Sequence, residues 1–345
     1  MNDRRQQQSS AVSFTPITVL GAGSWGTALA LLLANNGSPV RLWSYDKDHA
    51  IDMQKTHLNR RYFPKCPFPE KLKVTHRLDE ALNKVQDVLV VVPSHVFTET
   101  LEKSLPYFSN YPRLVWGTKG IDLETRGLLD QTVENILEKK IPMAIISGPT
   151  LAKDVAAQLP TAVNLACNDI SFSKDLIDRL HCKTFRIYPT DDLIGVQLCG
   201  AVKNVLGIAA GISDGLELGG NARSALITRG LVEIGRLSEA VGGRHKTLLD
   251  LAGLGDIVLT CTDDRSRNRR FGLLLADGLT VNAAAKEIGQ TVEGLRNVVQ
   301  VQSLAKAQGV DMPIIEEVYQ VLYKKRSPLE AVNKLLNRRI MLAQS

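Results

Sequence analysis

A lysine stands inside a stretch that ought to be dry: Ile194 to Ile212 is apolar except for Gln197, Lys203 and Asn204. An ammonium withdrawn from water either pairs with an acid or has its pKa pushed towards neutrality, and both outcomes suit proton-transfer catalysis. The natural acid is Asp256, which follows the glycine-rich stretch Leu251-Ala252-Gly253-Leu254-Gly255, expected to be a turn. A helix cap or a solvated turn would also account for that aspartate. Shortly after it, Ser266, Arg267 and Asn268 offer a hydroxyl, a guanidinium and an amide in consecutive positions, a set suited to a phosphate dianion. Arg269 and Arg270, in the same charge run, are expected on a solvated basic face.

Far upstream, Ile17-Thr18-Val19-Leu20 runs into Gly21-Ala22-Gly23-Ser24-Trp25-Gly26 and then the helical pattern of Thr27 to Asn35. Strand, glycine turn and helix in that order make a dinucleotide-binding fingerprint. Gly21 permits the tight turn, Gly23 lets the backbone approach a pyrophosphate, and Gly26 allows the helix to pack on its strand. A second strand, Val40 to Trp43, should end at the adenosine ribose, beside Ser44, Tyr45 and Asp46. Asp46 suits the ribose hydroxyls of NAD, while Lys47 could neutralise the 2′-phosphate of NADP. The choice of cofactor stays open.

The elements that must position these groups follow from hydrophobic periodicity. Val88 to Val92 needs cover on both faces, as a central parallel strand does. Strands at Leu114 to Trp116 and Met143 to Ile146 end in Gly117-Thr118-Lys119-Gly120 and Ser147-Gly148-Pro149-Thr150, on the carboxyl-end side where open α/β sheets bind ligands. From Asp191 onward the pattern is helical. The expectation is an α/β, Rossmann-like domain with a mainly parallel sheet over residues 15–190, an all-α domain over 191–345, and a disordered tail over 1–14. The active site should lie in the cleft between the domains.

Composition narrows the class. The chain has 345 residues, 44% hydrophobic and 23% charged, enough for two domains with their own cores. Five cysteines without ligand spacing suggest neither a disulfide framework nor a zinc site, and favour a reducing cytoplasm. A net charge of +6 is small for this length and no nucleic-acid-binding motif accompanies it, so an anionic small molecule is the expected partner. Lys203 alone would cost about 3 kcal/mol at a bilayer centre, which argues against membrane insertion of the apolar run.

Seven segments, in order, now carry a resemblance: Gly21 to Gly26, Lys119-Gly120, Gly148-Pro149-Thr150, Ala201-Val202-Lys203-Asn204, Gly253-Leu254-Gly255-Asp256, Ser266-Arg267-Asn268 and Val292-Glu293-Gly294. From about Ile17 to Leu336 the chain resembles the bacterial-type NAD(P)-dependent glycerol-3-phosphate dehydrogenases. The resemblance implies a helical domain like that of 6-phosphogluconate dehydrogenase, and Lys203 as proton acceptor in glycerol 3-phosphate oxidation, with Asp256 beside it. It implies that Lys119, Gly148, Thr150, Lys203, Asp256, Ser266, Arg267 and Asn268 contact substrate. The cofactor positions it implies are Gly21, Gly23, Ser24, Trp25, Gly26, Tyr45, Lys119, Ala152, Arg267, Thr291 and Glu293. NAD(P)H without a metal, dihydroxyacetone phosphate or sn-glycerol 3-phosphate as substrate, a cytoplasmic homodimer and supply of glycerophospholipid synthesis follow from the same resemblance. A β-hydroxyacid dehydrogenase of related architecture, acting on a carboxylate, is the rival reading.

Overall fold

A computed structural model describes residues 14–122, 125 and 127–338; the tail expected over 1–14 lies outside them except for Phe14. Its first half is an eight-stranded sheet. The strands are β1 (Ile17–Leu20), β2 (Val40–Trp43), β3 (Leu72–Thr75) and β4 (Asp87–Val90), then β5 (Arg113–Trp116), β6 (Met143–Ser147), β7 (Thr161–Cys167) and β8 (Phe185–Thr190). Their spatial order is β3-β2-β1-β4-β5-β6-β7-β8. The first six are parallel, β7 runs antiparallel to β6, and β8 is parallel to β7, so the sheet is mixed at one edge.

Helices α1 (Ser24–Asn35), α2 (Lys47–Thr56), α3 (Leu78–Leu82), α4 (Phe97–Ser104), α5 (Leu129–Leu137), α6 (Ala152–Ala156) and α7 (Ile170–Leu180) connect the strands. Strands β1, β4 and β6 are buried at every position, which is why their sequences are mostly apolar, with Thr18, Asp87 and Ser147 the polar residues in them. The order β3-β2-β1-β4 reverses direction at the β1/β4 boundary, the point where a doubly wound sheet opens a crevice at its carboxyl edge.

The second half contains α8 (Leu193–Gly215), α9 (Gly219–Ala240), α10 (His245–Leu248), α11 (Asp256–Thr262) and α12 (Arg267–Ala276). It continues with α13 (Val281–Ile288), α14 (Glu293–Ala307), α15 (Pro313–Tyr323) and α16 (Pro328–Leu336). Helix α8, the apolar run of the sequence, is long and apolar enough to cross a membrane, yet it forms the buried axis of this half, enclosed by α9, α11, α12 and α14. It crosses α12 with backbones nearly touching: a Cβ on Gly211 would collide with the Arg269 carbonyl, and one on Gly272 with the Ile208 carbonyl.

Two local expectations fail. The stretch Leu251–Gly255 is not a turn but a π-helical segment that runs directly into α11. Its glycine packs rather than turns: a Cβ on Gly253 would lie 2.6 Å from the Thr247 carbonyl oxygen, and the neighbouring Ala252 N–H donates to Asn164 Oδ1 at 2.8 Å. Arg269 is not on a solvated face either. It is buried, with its guanidinium on Asp214 at 2.7 Å and on Asp264, and only Arg270 is exposed. The acid that draws it inward sits 55 residues upstream, at the end of α8.

Candidate active site

Asp256 opens α11 and is fully buried. Its carboxylate carries one ammonium on each oxygen: Lys203 Nζ donates to Oδ1 at 3.0 Å, and Lys119 Nζ donates to Oδ2 at 2.6 Å. Lys203 projects from the middle of α8 and also donates to Thr260 Oγ1 at 2.8 Å. Lys119 arrives from the loop after β5, on the other side of the cleft, and also donates to the Gly148 carbonyl at 3.2 Å. Lys119 and Lys203 keep 14% and 11% of their side-chain surface exposed, whereas the carboxylate between them keeps none.

A lone buried carboxylate would be costly, and burial alone would lift the Asp256 pKa; the charges of Lys119 and Lys203 overcome this and hold it below the ordinary carboxylate value. Burial pulls Lys119 down to about 8, opposed by attraction to Asp256 and assisted by repulsion from Lys203. The cluster of two ammoniums and one carboxylate thus carries a net positive charge facing the cleft. Such a cluster can stabilise a developing oxyanion and hand it a proton.

Arg267 is the first residue of α12, the helix that packs along α8, which carries Lys203. Its guanidinium makes no hydrogen bond or close ion pair among the described residues, although Glu293 is near enough to oppose the downward pull of burial on its pKa. That leaves its fork of donors available to an anion. The flanking residues are less free than their sequence suggests. Ser266 caps α12, its hydroxyl accepting from the Arg269 N–H at 3.3 Å. Asn268 donates to Asn204 Oδ1 at 2.9 Å and accepts from the Gly294 N–H at 3.0 Å, which leaves one amide hydrogen for a ligand. Thr150 donates to the Gly148 carbonyl at 3.2 Å, so Gly148 gathers Thr150 and Lys119 at one point.

The glycine turn lies at the β1/β4 crevice. Gly21 has φ +118°, and a Cβ there would be 2.7 Å from the Val91 carbonyl oxygen; a Cβ on Gly26 would collide with the Gly21 carbonyl. At Gly23 the situation is reversed, for no described atom lies within 4 Å of the place a Cβ would take. Gly23 leads α1 in an extended conformation without a side-chain cap, so Ser24, Trp25 and Gly26 present a helix N-terminus to open space. The Trp25 indole N–H is buried and unpartnered among the described residues. This cradle fits a pyrophosphate-bearing dinucleotide.

The other expected cofactor positions are more scattered. Tyr45 is 84% exposed at the end of β2, Thr291 is exposed, and Ala152 starts α6. Glu293 starts α14; burial raises its pKa, against the Ser94 hydroxyl that donates to it at 3.1 Å and the charge of Arg267. Asp46 is engaged as the cap of α2, accepting from the His49 N–H at 3.0 Å, with Arg61 Nη2 at 3.4 Å from its other oxygen. Arg61 and Thr260 escaped the sequence reading. Thr260 lies four residues beyond Asp256, a spacing that shares a helix face only once 256–262 is known to be helical. Among the described residues no group of three or more histidine, cysteine or acidic side chains could hold a metal ion.

Comparison with known proteins adds a second line. Residues 16–173 match the family model described as NAD-dependent glycerol-3-phosphate dehydrogenase N-terminus, and residues 192–333 match the corresponding C-terminus. Glycerol-3-phosphate dehydrogenase [NAD(P)+] of Coxiella burnetii is 54% identical over 323 residues, covering 94% of this chain and 97% of its own. The enzyme of that name from Shewanella halifaxensis is 52% identical, covering 93% and 95%. The crystal structure of the Coxiella burnetii glycerol-3-phosphate dehydrogenase superposes with a TM-score of 0.91, over 94% of this chain and 99% of that one.

Proposed function

Because the chain belongs to the NAD-dependent glycerol-3-phosphate dehydrogenase family, and is an NAD(P)-dependent enzyme of that kind, we propose that Lys203 is its general acid and base and that the phosphate of the substrate rests on Arg267. The observation that carries this reading is the shared carboxylate of Asp256, which holds the Lys203 and Lys119 ammoniums together where the two halves of the chain meet.

The reaction interconverts dihydroxyacetone phosphate, NAD(P)H and a proton with sn-glycerol 3-phosphate and NAD(P)⁺. The nicotinamide supplies or takes the hydride. As the ketone carbon is reduced, its oxygen gains negative charge, which the Lys203 ammonium stabilises and then neutralises by giving up a proton. In the oxidative direction the neutral amine takes the proton from the hydroxyl. Asp256 and Thr260 fix the direction of the Lys203 ammonium. Lys119 adds a second positive charge on the same side and ties the Gly148-Pro149-Thr150 loop to the site. Arg267 binds the non-reacting phosphate, so that binding energy distant from the carbonyl orients it. The remaining substrate positions are Gly148, Thr150, Ser266 and Asn268, and the cofactor positions are those of the glycine cradle with Tyr45, Ala152, Thr291 and Glu293. Residues 15–190 then serve as the cofactor domain and 191–345 as the catalytic one.

By analogy with the family, the product supplies glycerophospholipid synthesis in the cytoplasm and the enzyme works as a homodimer. The decisive experiment is Lys203→Ala, followed by NADH absorbance with dihydroxyacetone phosphate. The expected fall in kcat is about 100-fold or more, the scale of a lost general acid, with little change in cofactor affinity. Near-normal turnover would remove Lys203 from its role.

A further inference from the structure

The end of β2 is where a doubly wound sheet meets the adenosine ribose, and there an acid disfavours a 2′-phosphate while an arginine welcomes it. In this chain the two occur together. Asp46 has one oxygen engaged in capping α2, and the other faces Arg61 at 3.4 Å. Arg61 comes from a different segment, between α2 and β3, and that segment is firmly rooted. Asn59 is buried and donates to the Ala22 carbonyl at 3.1 Å, inside the glycine turn, and to Thr27 Oγ1 on α1 at 2.9 Å. Its side-chain oxygen meets His49 Nε2 at 3.1 Å, and its carbonyl accepts the N–H groups of Tyr62 and Phe63 at 3.2 and 2.7 Å. Leu58 and Pro67 pair across the base of the segment, and Phe63 enters the core.

We propose that Arg61 is the specificity-determining residue for the cofactor, its guanidinium leaving Asp46 to bind the 2′-phosphate of NADP(H). This rests on the reading of the cleft as a dinucleotide site. Anchoring Asn59 to the glycine turn means that the loop bearing Arg61 is registered against the same backbone that receives the pyrophosphate. The Arg61–Asp46 contact is long, single and at 55% and 29% exposure, a kind of pair that contributes little and exchanges readily. A phosphate dianion offers the guanidinium a bidentate, charge-assisted partner instead. With NAD(H) no such exchange occurs and Arg61 stays on Asp46. Of the nearby basic groups, Arg60 turns towards Asp52 on α2, at 3.6 Å, and Lys47 is exposed.

The test is the ratio of KM for NADPH to KM for NADH, measured on the full-length enzyme with dihydroxyacetone phosphate. Arg61→Ala is expected to raise this ratio about 10-fold or more, the scale of one charge-assisted hydrogen bond. Asp46→Asn, which keeps a side chain able to cap α2, is expected to lower it by removing the competing carboxylate. Arg60→Ala serves as the control for general positive field and should leave the ratio within about twofold. An unchanged ratio in Arg61→Ala, or an equal change in Arg60→Ala, overturns the assignment. Calorimetric titration of the wild type separates the two levels. If neither nucleotide binds, the dinucleotide reading falls and takes this one with it; if both bind and the ratio does not respond to Arg61→Ala, only Arg61 is displaced.

Discussion

Lys119 shares the Asp256 carboxylate with Lys203, so its proton answers to an opposite charge on one side and a like charge on the other. With Lys119 brought to about 8 by burial, kcat/KM for ketone reduction should decline on the alkaline side near that pH, as the cluster loses its net positive charge. Asp256 works to raise the lysine pKa, whereas burial and the second ammonium lower it. Removing the carboxylate therefore leaves only the lowering influences. Asp256→Asn is expected to move the alkaline limb down by about one pH unit or more, the usual effect of losing an adjacent opposite charge. A pH profile showing the limb unmoved would place the titrating group outside this cluster.

Helices α8 and α12 are joined so closely that position 272 tolerates nothing beyond a hydrogen. Gly272→Ala would drive a methyl into the Ile208 carbonyl and push α12 outward, and with it Arg267 at the start of the same helix. The expected result is a loss of about 1–3 kcal/mol in stability, the range for overpacking, together with a raised KM for dihydroxyacetone phosphate. Urea unfolding and steady-state kinetics on the same preparation measure both, and a variant altered in neither would show that the crossing is not tight. The same pair of helices shows why sequence is unevenly legible. Gly21 to Gly26 and Lys203 could be read directly because their meaning is local: a turn that needs glycine, and a charge among apolar neighbours. Arg269 could not, because in the chain it belongs to a basic run and stands next to the exposed Arg270, while its partner Asp214 belongs to another helix. Leu251 to Gly255 misleads for a related reason, since glycine that breaks an isolated helix also permits two backbones to approach. Asp46 sits at the expected end of β2, but its engagement as a cap and its contact with Arg61 become visible only when the loop over 57–68 is folded onto the glycine turn.

Across the whole molecule, stability has a titrating contribution remote from the active site. Glu233 on α9 is buried and accepts the N–H groups of Ile314 and Ile315 at the start of α15, at 2.9 and 3.4 Å. Burial nevertheless raises its pKa to about 7, against those two bonds. Between an ordinary glutamate pKa near 4.5 and that value, the folded protein binds more protons at this site than the unfolded chain does. Stability from this group is therefore present at low pH and declines as pH rises through the window, by at most about 3 kcal/mol. Glu233→Gln should flatten that part of the curve of unfolding free energy against pH; an unchanged slope would mean that Glu233 ionises normally in the fold. The active site depends on the same global organisation in a different manner. Lys119 is supplied by the sheet half, while Asp256 and Lys203 are supplied by the helical half. The charge cluster proposed to serve ketone reduction thus forms only at the seam, with both halves contributing to it. Assembly acts as its own inspection: a chain whose halves have not docked lacks the Lys119–Asp256–Lys203 cluster, so on the mechanism proposed above it turns over no substrate before it is correctly built.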